Sequence, residues 1–406
     1  MTDALARINY FEGTHRIFRP EATLELVQRH LQAMGITRVA DVTGLDTVGI
    51  PVVMVCRPNS RSVSVSQGKG SNLLAAKVSG LMESIEGYHA ENISLPLRLG
   101  SCNDLRGQVT VIEPELLPGL QDTLYHENLP ITWIEATDLL SDVSYWLPYE
   151  MVHTNYTYPR PTGSGCFPSS SNGLASGNSI DEATVHGICE VIERDAISLW
   201  DHFGATRIDR VSIDPKSIDD DYCIETLAKL KLAGQEPYIW DITSDTGIPT
   251  YLCVILEKSL GSQHVGVGSG THLSRGVALL RAVHEAVQVR TTYIVGARDD
   301  IILDEYSPEG IASKRDFFQK KIDQSSFSNS FTRTATLDSE YVNQDLETLL
   351  FHLQAVGINQ VMRVDISKSE FNIPVVRVVI PGLESPHDDY GYVPGTRARI
   401  AQEQFG

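Results

Sequence analysis

Three stretches of the chain carry polar residues at one spacing. Ser79-Glu83-Glu86, His186-Glu190-Glu193 and Arg281-Glu285-Gln288 each advance by four residues and then by three. On an α-helix that spacing puts all three members on one face. The central copy is the richest. At about 100° per residue, Glu182, His186, Glu190, Glu193 and Arg194 fall within an arc of about 120°. Val185, Ile188, Ile192, Ala196 and Leu199 fall opposite. One E-x-x-E alone is ordinarily the solvated face of an amphipathic helix. Three copies, each behind a glycine-rich turn, argue for a shared site. Gathering Glu83, Glu86, Glu182, Glu190, Glu193 and Glu285 is opposed by repulsion and desolvation unless cations accompany them. A divalent metal is the natural compensation, and oxygen ligands suit magnesium rather than zinc or copper. Lys69, Arg194 and Arg281 add positive charge on the same elements. Glycine turns at helix N-termini add backbone N–H donors. Together these groups describe a nucleoside triphosphate site, with metal bridging phosphate oxygens and arginines taking developing charge.

Two interleaved patterns position these residues. The first is a helix, a glycine stop and two strands. It spans residues 21–57, 222–257 and 345–380, with glycines at Gly35, Gly234 and Gly357 and an Ile-Pro opening the second strand at Pro51, Pro249 and Pro374. Proline is tolerated at the first strand position because the ladder needs no N–H there. The segment His30 to Ile36 nearly repeats at His352 to Ile358. The second pattern is a glycine turn running into a helix, at residues 68–91, 173–195 and 266–290. A helix followed by a hairpin predicts antiparallel sheet with helices on one face, an α+β fold built from internally repeated αββ units. In the central copy Ser179 stands at the N-cap position, with Asp181 and Glu182 in the first turn. Residues 108–117 and 131–140 read as strand-and-turn pieces, 156–173 as a polar loop, 301–344 as an exposed insertion and 381–402 as irregular until its last few residues. No clean linker is visible, which predicts one intertwined domain with a core over 10–385 and a tail over 386–406.

Composition bounds the function. Lys and Arg number 33 against 52 Asp and Glu, a net charge of −19. An acidic surface disfavours nucleic acid and anionic membranes as partners. Six cysteines form no C-x-x-C pair, and no targeting segment or membrane-length apolar run is visible, so the chain reads as cytoplasmic with reduced, mostly buried thiols. Other motifs fail. There is no P-loop. Gly266-Val-Gly268-Ser-Gly270 lacks the dinucleotide spacing, and the run from His284 to Gln288 misses the zinc pattern at its last position. Glu86 and His89 form one Glu-x-x-His where a di-iron site needs two, so His89 reads as a surface residue near the helix end. Cys166 has no histidine partner at a spacing that suggests a nucleophile.

The segments Asn172 to Asn178 and His186 to Ala196, together with Gly68-Lys69-Gly70, Ser79 to Glu86 and Gly268 to Arg290, resemble the YcaO family, and the likeness spans most of residues 10–385. The resemblance implies an α+β fold and ATP-dependent activation of a peptide backbone amide, whose oxygen is phosphorylated. A neighbouring Cys, Ser or Thr as nucleophile gives an azoline; external sulfide gives a thioamide. Carried over by motif, Glu83, Glu86, Glu190 and Glu193 would hold magnesium, with Glu190, Glu193, Arg194 and Glu285 catalytic. Arg16, Lys69, Ser79, Asn178, Glu182, His186, Arg194, Arg281, Gln288 and Arg290 would contact ATP, although the helical wheel puts Arg290 off the acidic face. Azoline-forming members commonly end in a proline-rich P-x-P-x-P tail, which this sequence lacks, and no N-terminal leader-gripping domain is seen. The N-terminal stretch resembles stand-alone members, including those paired with TfuA-type proteins. The resemblance therefore implies thioamidation of a peptide or protein substrate with a TfuA-like or leader-binding partner, in a homodimer. The alternatives are an azoline-forming cyclodehydratase and, setting the resemblance aside, a metal-dependent hydrolase.

Overall fold

Each of the three acidic helices is preceded by a short strand, and helix and strand touch backbone to backbone. In the computed structural model, which describes residues 6–202, 211–257, 264–325, 329–385 and 391–405, these pairs are β3 (Val65–Lys69) with α2 (Leu73–Glu91), β8 (Leu174–Ser176) with α4 (Ile180–His202), and β11 (Gly266–Thr271) with α6 (Arg275–Val295). Glycine makes this approach possible. A Cβ on Gly68 would lie 2.0 Å from the Ala76 carbonyl oxygen, and one on Gly268 would lie 2.2 Å from the Ala286 nitrogen. No other residue fits a strand pressed this closely on a helix.

Each of these strands lies at one edge of an antiparallel sheet. β1 (Arg38–Asp41), β2 (Val52–Cys56) and β3 form one, and β9 (Gln235–Asp241), β10 (Thr250–Glu257) and β11 another. The third sheet is larger. It runs β4 (Leu97–Gly100), β6 (Ile131–Asp138), β12 (Met362–Asp365), β13 (Val375–Val379) and β8, with β7 (Ser144–Pro148) added to β6. The short α3 (Cys102–Arg106) and β5 (Gly119–Leu120) follow β4 in sequence. A helix precedes the hairpin in each sheet: α1 (Pro20–Gln28), α5 (Asp221–Leu232) and α8 (Val342–Ala355). Pro51, Pro249 and Pro374 stand one residue ahead of β2, β10 and β13, so the ladder begins where an N–H becomes available. All pairings between these strands are antiparallel, as the α+β reading predicts. Ser179 caps α4, its Oγ accepting the Glu182 N–H at 3.1 Å.

The core follows the apolar faces of these elements. Leu81 and Ile85 of α2 pack with Trp133, Ile134 and Leu147. Leu280, Val283 and Val287 of α6 pack under the β9–β11 sheet with Tyr251. Ile188 and Ile192 of α4 pack against Val376, Leu349 and Leu353.

Several expectations are corrected. Residues 108–117 form no strand: Val111 makes one bridge to Trp146, and Pro114, without an N–H, sits in a 3-10 turn. The insertion is not merely exposed. It holds α7 (Pro308–Asp323), whose Phe318 and Ile322, four residues apart, pack with Trp200 and Trp240, and Phe331 is fully enclosed. Residues 326–328 of this stretch and 386–390 of the predicted tail lie outside the described residues. The tail ends in α9 (Thr396–Phe405). His89 is buried, not on the surface, with Nδ1 2.8 Å from the Ile85 carbonyl. The six cysteines are free thiols, five of them buried, and burial beside Glu150 pushes the Cys166 thiol up to about 11, unfavourable for a nucleophile. No helix among the described residues is long and apolar enough to cross a membrane.

Candidate active site

The three helices bring their polar faces to one cavity of about 720 Å³. Glu83, Glu86 and Ser79 enter from α2, and Lys69 from β3. Glu182, His186, Glu190, Glu193 and Arg194 enter from α4, with Asn178 just ahead of it. Arg281, Glu285 and Gln288 enter from α6, and Arg16 from the N-terminal segment. Arg290 is not among the lining residues. It lies half a turn round α6 from Arg281, where Nε and Nη2 grip Asp46 at 2.9 and 3.3 Å and both side chains are 3% exposed. Its partner here is Asp46, and it stands apart from the other residues expected to contact the nucleotide.

The acids are held in a ring in which each helix reaches the strand that precedes another. Glu86 of α2 accepts the N–H and hydroxyl of Ser176 on β8, at 2.8 and 2.6 Å. Glu193 of α4 accepts Ser269 Oγ and the Thr271 N–H on β11, at 2.7 and 2.9 Å. Glu285 of α6 lies 3.5 Å from Lys69 Nζ on β3 and accepts the Ser269 N–H at 2.7 Å. Glu182 accepts the Ile17 N–H at 2.8 Å and both the N–H and side-chain amide of Asn178, stitching the N-terminal segment to α4. Arg16 Nε is 3.9 Å from Glu182, and Asn178 Oδ1 accepts the Thr23 hydroxyl. Arg281 donates to the Thr271 carbonyl at 3.1 Å.

Ser176, Ser269 and Thr271 lay inside segments singled out from sequence, yet nothing local signalled that they serve acids of another unit. Arg298 and Asp300 also line the cavity and were missed, because they follow α6 in a polar stretch without periodicity. Arg298 Nε donates to Asp300 at 2.8 Å.

The electrostatics match a cation-binding cavity. Burial pushes Glu86 up to about 8, with Glu83 and Glu190 adding repulsion. Burial also raises Glu190 to about 7 and raises Glu83. Burial opposes ionisation of Glu285 too, but Lys69, Arg194 and the Ser269 donors outweigh it and its pKa is lowered. His186 is held well below its ordinary value by burial and by Arg281 and Arg16, so it faces the cavity as a neutral ring. Carboxylates kept partly protonated by desolvation are groups whose charge a bound cation would stabilise.

Such a fold and site define an α+β protein that binds a nucleotide with a hard cation. The YcaO family model, described as YcaO cyclodehydratase, ATP- and Mg2+-binding, matches residues 67–384, and the chain belongs to the YcaO family. An uncharacterized protein of Methanothermobacter thermautotrophicus is 34% identical over 90% of this chain and 94% of its own length. An uncharacterized protein in the tfuA 3′ region of Rhizobium leguminosarum bv. trifolii is 32% identical over 91% of this chain and 88% of its own. Among solved structures, a heterocyclase in complex with substrate and cofactor superposes with a TM-score of 0.79 at 21% identity, covering 95% of this chain; the chain spans 54% of that protein. YcaO from Methanopyrus kandleri, bound with AMPPCP and Mg2+, superposes with a TM-score of 0.77 at 21% identity over 97% of this chain and 100% of that one.

ATP and Mg2+ are therefore the cofactors, and the residues fit them. The cavity is within the size range of small-molecule sites. The donor set is hard oxygen. Among the described residues no three His, Cys, Asp or Glu side chains close into a metal cage. Magnesium is usually held by one or two carboxylates together with phosphate oxygens and water.

Proposed function

We propose that the chain uses ATP to activate a backbone amide of a peptide or protein, and that it makes a thioamide with a TfuA-like partner. Support for the partner comes from the relative in the tfuA 3′ region, which aligns along nearly its whole length. In this reading hydrosulfide adds to the amide carbon. The oxygen so charged takes the terminal phosphoryl group of ATP, releasing ADP. The C–O bond then breaks, phosphate leaves with that oxygen and the S–H proton, and a C=S bond remains. Bound magnesium would supply neutralisation of phosphate charge. Glu83, Glu86, Glu190 and Glu193 line the cavity and would supply its carboxylates, one or two to an ion beside phosphate oxygens and water. Arg194, Lys69 and Arg281 stabilise charge developing on the transferred group, and Glu285 holds Lys69 in place. Asn178, Glu182 and Arg16 orient the nucleotide.

An azoline-forming reading is favoured by a different observation, the superposition on a heterocyclase over 95% of this chain. There the nucleophile is a Cys, Ser or Thr side chain of the peptide. Reconstitution with ATP, magnesium, sulfide, a TfuA-type protein and a candidate peptide separates the two by mass spectrometry. Exchange of oxygen for sulfur supports thioamidation. Loss of water with ring closure replaces it with the azoline reading. Phosphate release from another substrate, with no magnesium-ATP binding by calorimetry, would point to a metal-dependent hydrolase.

A further inference from the structure

Behind the acidic face of α4 sits a second ionic array that the nucleotide chemistry does not use. Asp195 follows Arg194 in sequence and is fully enclosed. Its carboxylate accepts Arg397 of α9 through two parallel bonds, Nε at 2.9 Å and Nη2 at 3.0 Å, and the Glu384 N–H at 2.9 Å. Arg397 also reaches Asp245, in the turn between β9 and β10, with Nη1 at 3.2 Å. A second set of contacts, through the side chain of the same Glu384, holds α9. The Glu384 carboxylate accepts the N–H groups of Gly395 and Ala398 and the Tyr392 hydroxyl, each at 2.8 Å, and Tyr392 lies 2.9 Å from Ser198 Oγ on α4. Leu199 packs on Ala398 and Ala401. None of the described residues of 391–405 lines the cavity.

Position on the helix gives this array its leverage. Asp195 lies about 140° round α4 from Glu190 and about 160° from Glu193, so its anchor grips the side opposite the acids. A bidentate guanidinium fixes the plane of a carboxylate as well as its distance. The grip at Asp195 therefore resists turning of α4 about its own axis. Side-chain tips lie about 5–6 Å from a helix axis, so a twist of about 10° carries them about 1 Å. A displacement of about 1 Å in a reacting site can cost on the order of 10²-fold in rate, and it weakens the contacts that hold the ligand as well.

Resting on the roles proposed above for Glu190, Glu193 and Arg194, we infer that Arg397 is a positioning residue: by clamping Asp195 from behind, α9 sets the rotation of α4 and so aims those three side chains at the magnesium–nucleotide complex. The test uses the full chain and binding of Mg2+ with AMPPCP by calorimetry, beside circular dichroism and thermal melting. Arg397→Ala should weaken binding by at least about 10-fold, and Arg397→Lys, which keeps the charge and loses the fork, should fall between it and the wild type. Tyr392→Phe removes only the hydroxyl that joins Glu384 to Ser198, without touching Asp195. It should lower the melting temperature and leave affinity within about twofold, since the rotation of α4 is unchanged. If Arg397→Ala does not fold, Arg397→Lys alone decides. Wild-type affinity in a folded Arg397 variant overturns the inference, and so does equal weakening by Tyr392→Phe, which would make α9 a general support rather than an aiming device.

Discussion

Glu190 and Glu193 are one helical turn apart and meet different surroundings. Glu193 is buried and takes two donors from β11. Glu190 faces the cavity, with no hydrogen bond to its carboxylate among the described residues, and is raised to about 7 by burial. A group whose charge the protein leaves unsatisfied is the one a metal completes. Glu190→Gln should therefore keep the fold and melting temperature while abolishing magnesium-dependent ATP turnover; full turnover in that variant removes Glu190 from the metal set. Arg290 gives the opposite expectation. Its pairing with Asp46 is buried on both sides, and removing one partner strands the other. Arg290→Ala should cost about 3–5 kcal/mol in chemical denaturation. In the folded fraction it should leave affinity for Mg2+ with AMPPCP nearly intact. Weakened binding without lost stability would restore the nucleotide contact that the motif suggested.

At the scale of elements, the site depends on how closely each strand approaches its helix. A Cβ at Gly268 would sit 2.2 Å from the Ala286 nitrogen and 2.4 Å from the Ala282 carbonyl oxygen, both backbone atoms that cannot swing aside. Gly268→Ala should cost about 1–3 kcal/mol through overpacking. It should also weaken nucleotide binding, because α6 must move with Arg281 and Glu285 on it. Gly44→Ala, with nothing within 4 Å, is the matched control and should change neither. Denaturation midpoints and calorimetry on the pair check this; equal effects of both substitutions would refute the close-approach argument. The acidic helices were legible because each pairs a 3.6-residue apolar stripe with an opposite polar face. His89 and α7 were misread for a related reason. A polar residue near a helix end, and a helix with few apolar residues in a polar stretch, look solvent-facing until a partner surface covers them. For His89 that surface includes Phe371, with ring centroids 5.8 Å apart. For α7 it is the pair Trp200 and Trp240.

For the whole molecule, buried ionisable groups set the pH response. Burial holds His89 and His153 down to about 4, against an ordinary value of 6.5. Between those values the unfolded chain takes up protons that the folded chain refuses, so stability falls as pH drops below about 6.5. Glu86 and Glu190 act on the other side. Their folded values, about 8 and about 7, exceed the ordinary 4.5. The stability they contribute is complete below about 4.5 and is lost as pH rises through about 7 and 8. Metal-free protein should therefore melt highest between about pH 5 and 7. Adding Mg2+ with AMPPCP should raise the alkaline limb more than the acid limb, because the bound cation favours the ionised carboxylates. Melting curves from pH 4 to 9 with and without the ligand check the sign, and an equal shift at all pH values would contradict it.

Residue type and spacing determined much of this protein. The i, i+4, i+7 pattern placed acids on one face of three helices, proline and glycine marked where strands begin and helices stop, and the chemistry of six carboxylates asked for a hard cation. These signals are local, written within one or two helical turns. The tertiary structure decided what is not local. It set Glu86 against Ser176, Glu193 against Ser269 and Lys69 against Glu285, turning three separate faces into one ring. It turned Arg290 toward Asp46, and it put Arg397 behind α4 on Asp195, 202 residues away in sequence. Periodicity fixes the direction of a side chain around its own helix axis. Which element that direction meets depends on how sheets and helices pack, and the pairings across units carry no spacing that one stretch of sequence can record.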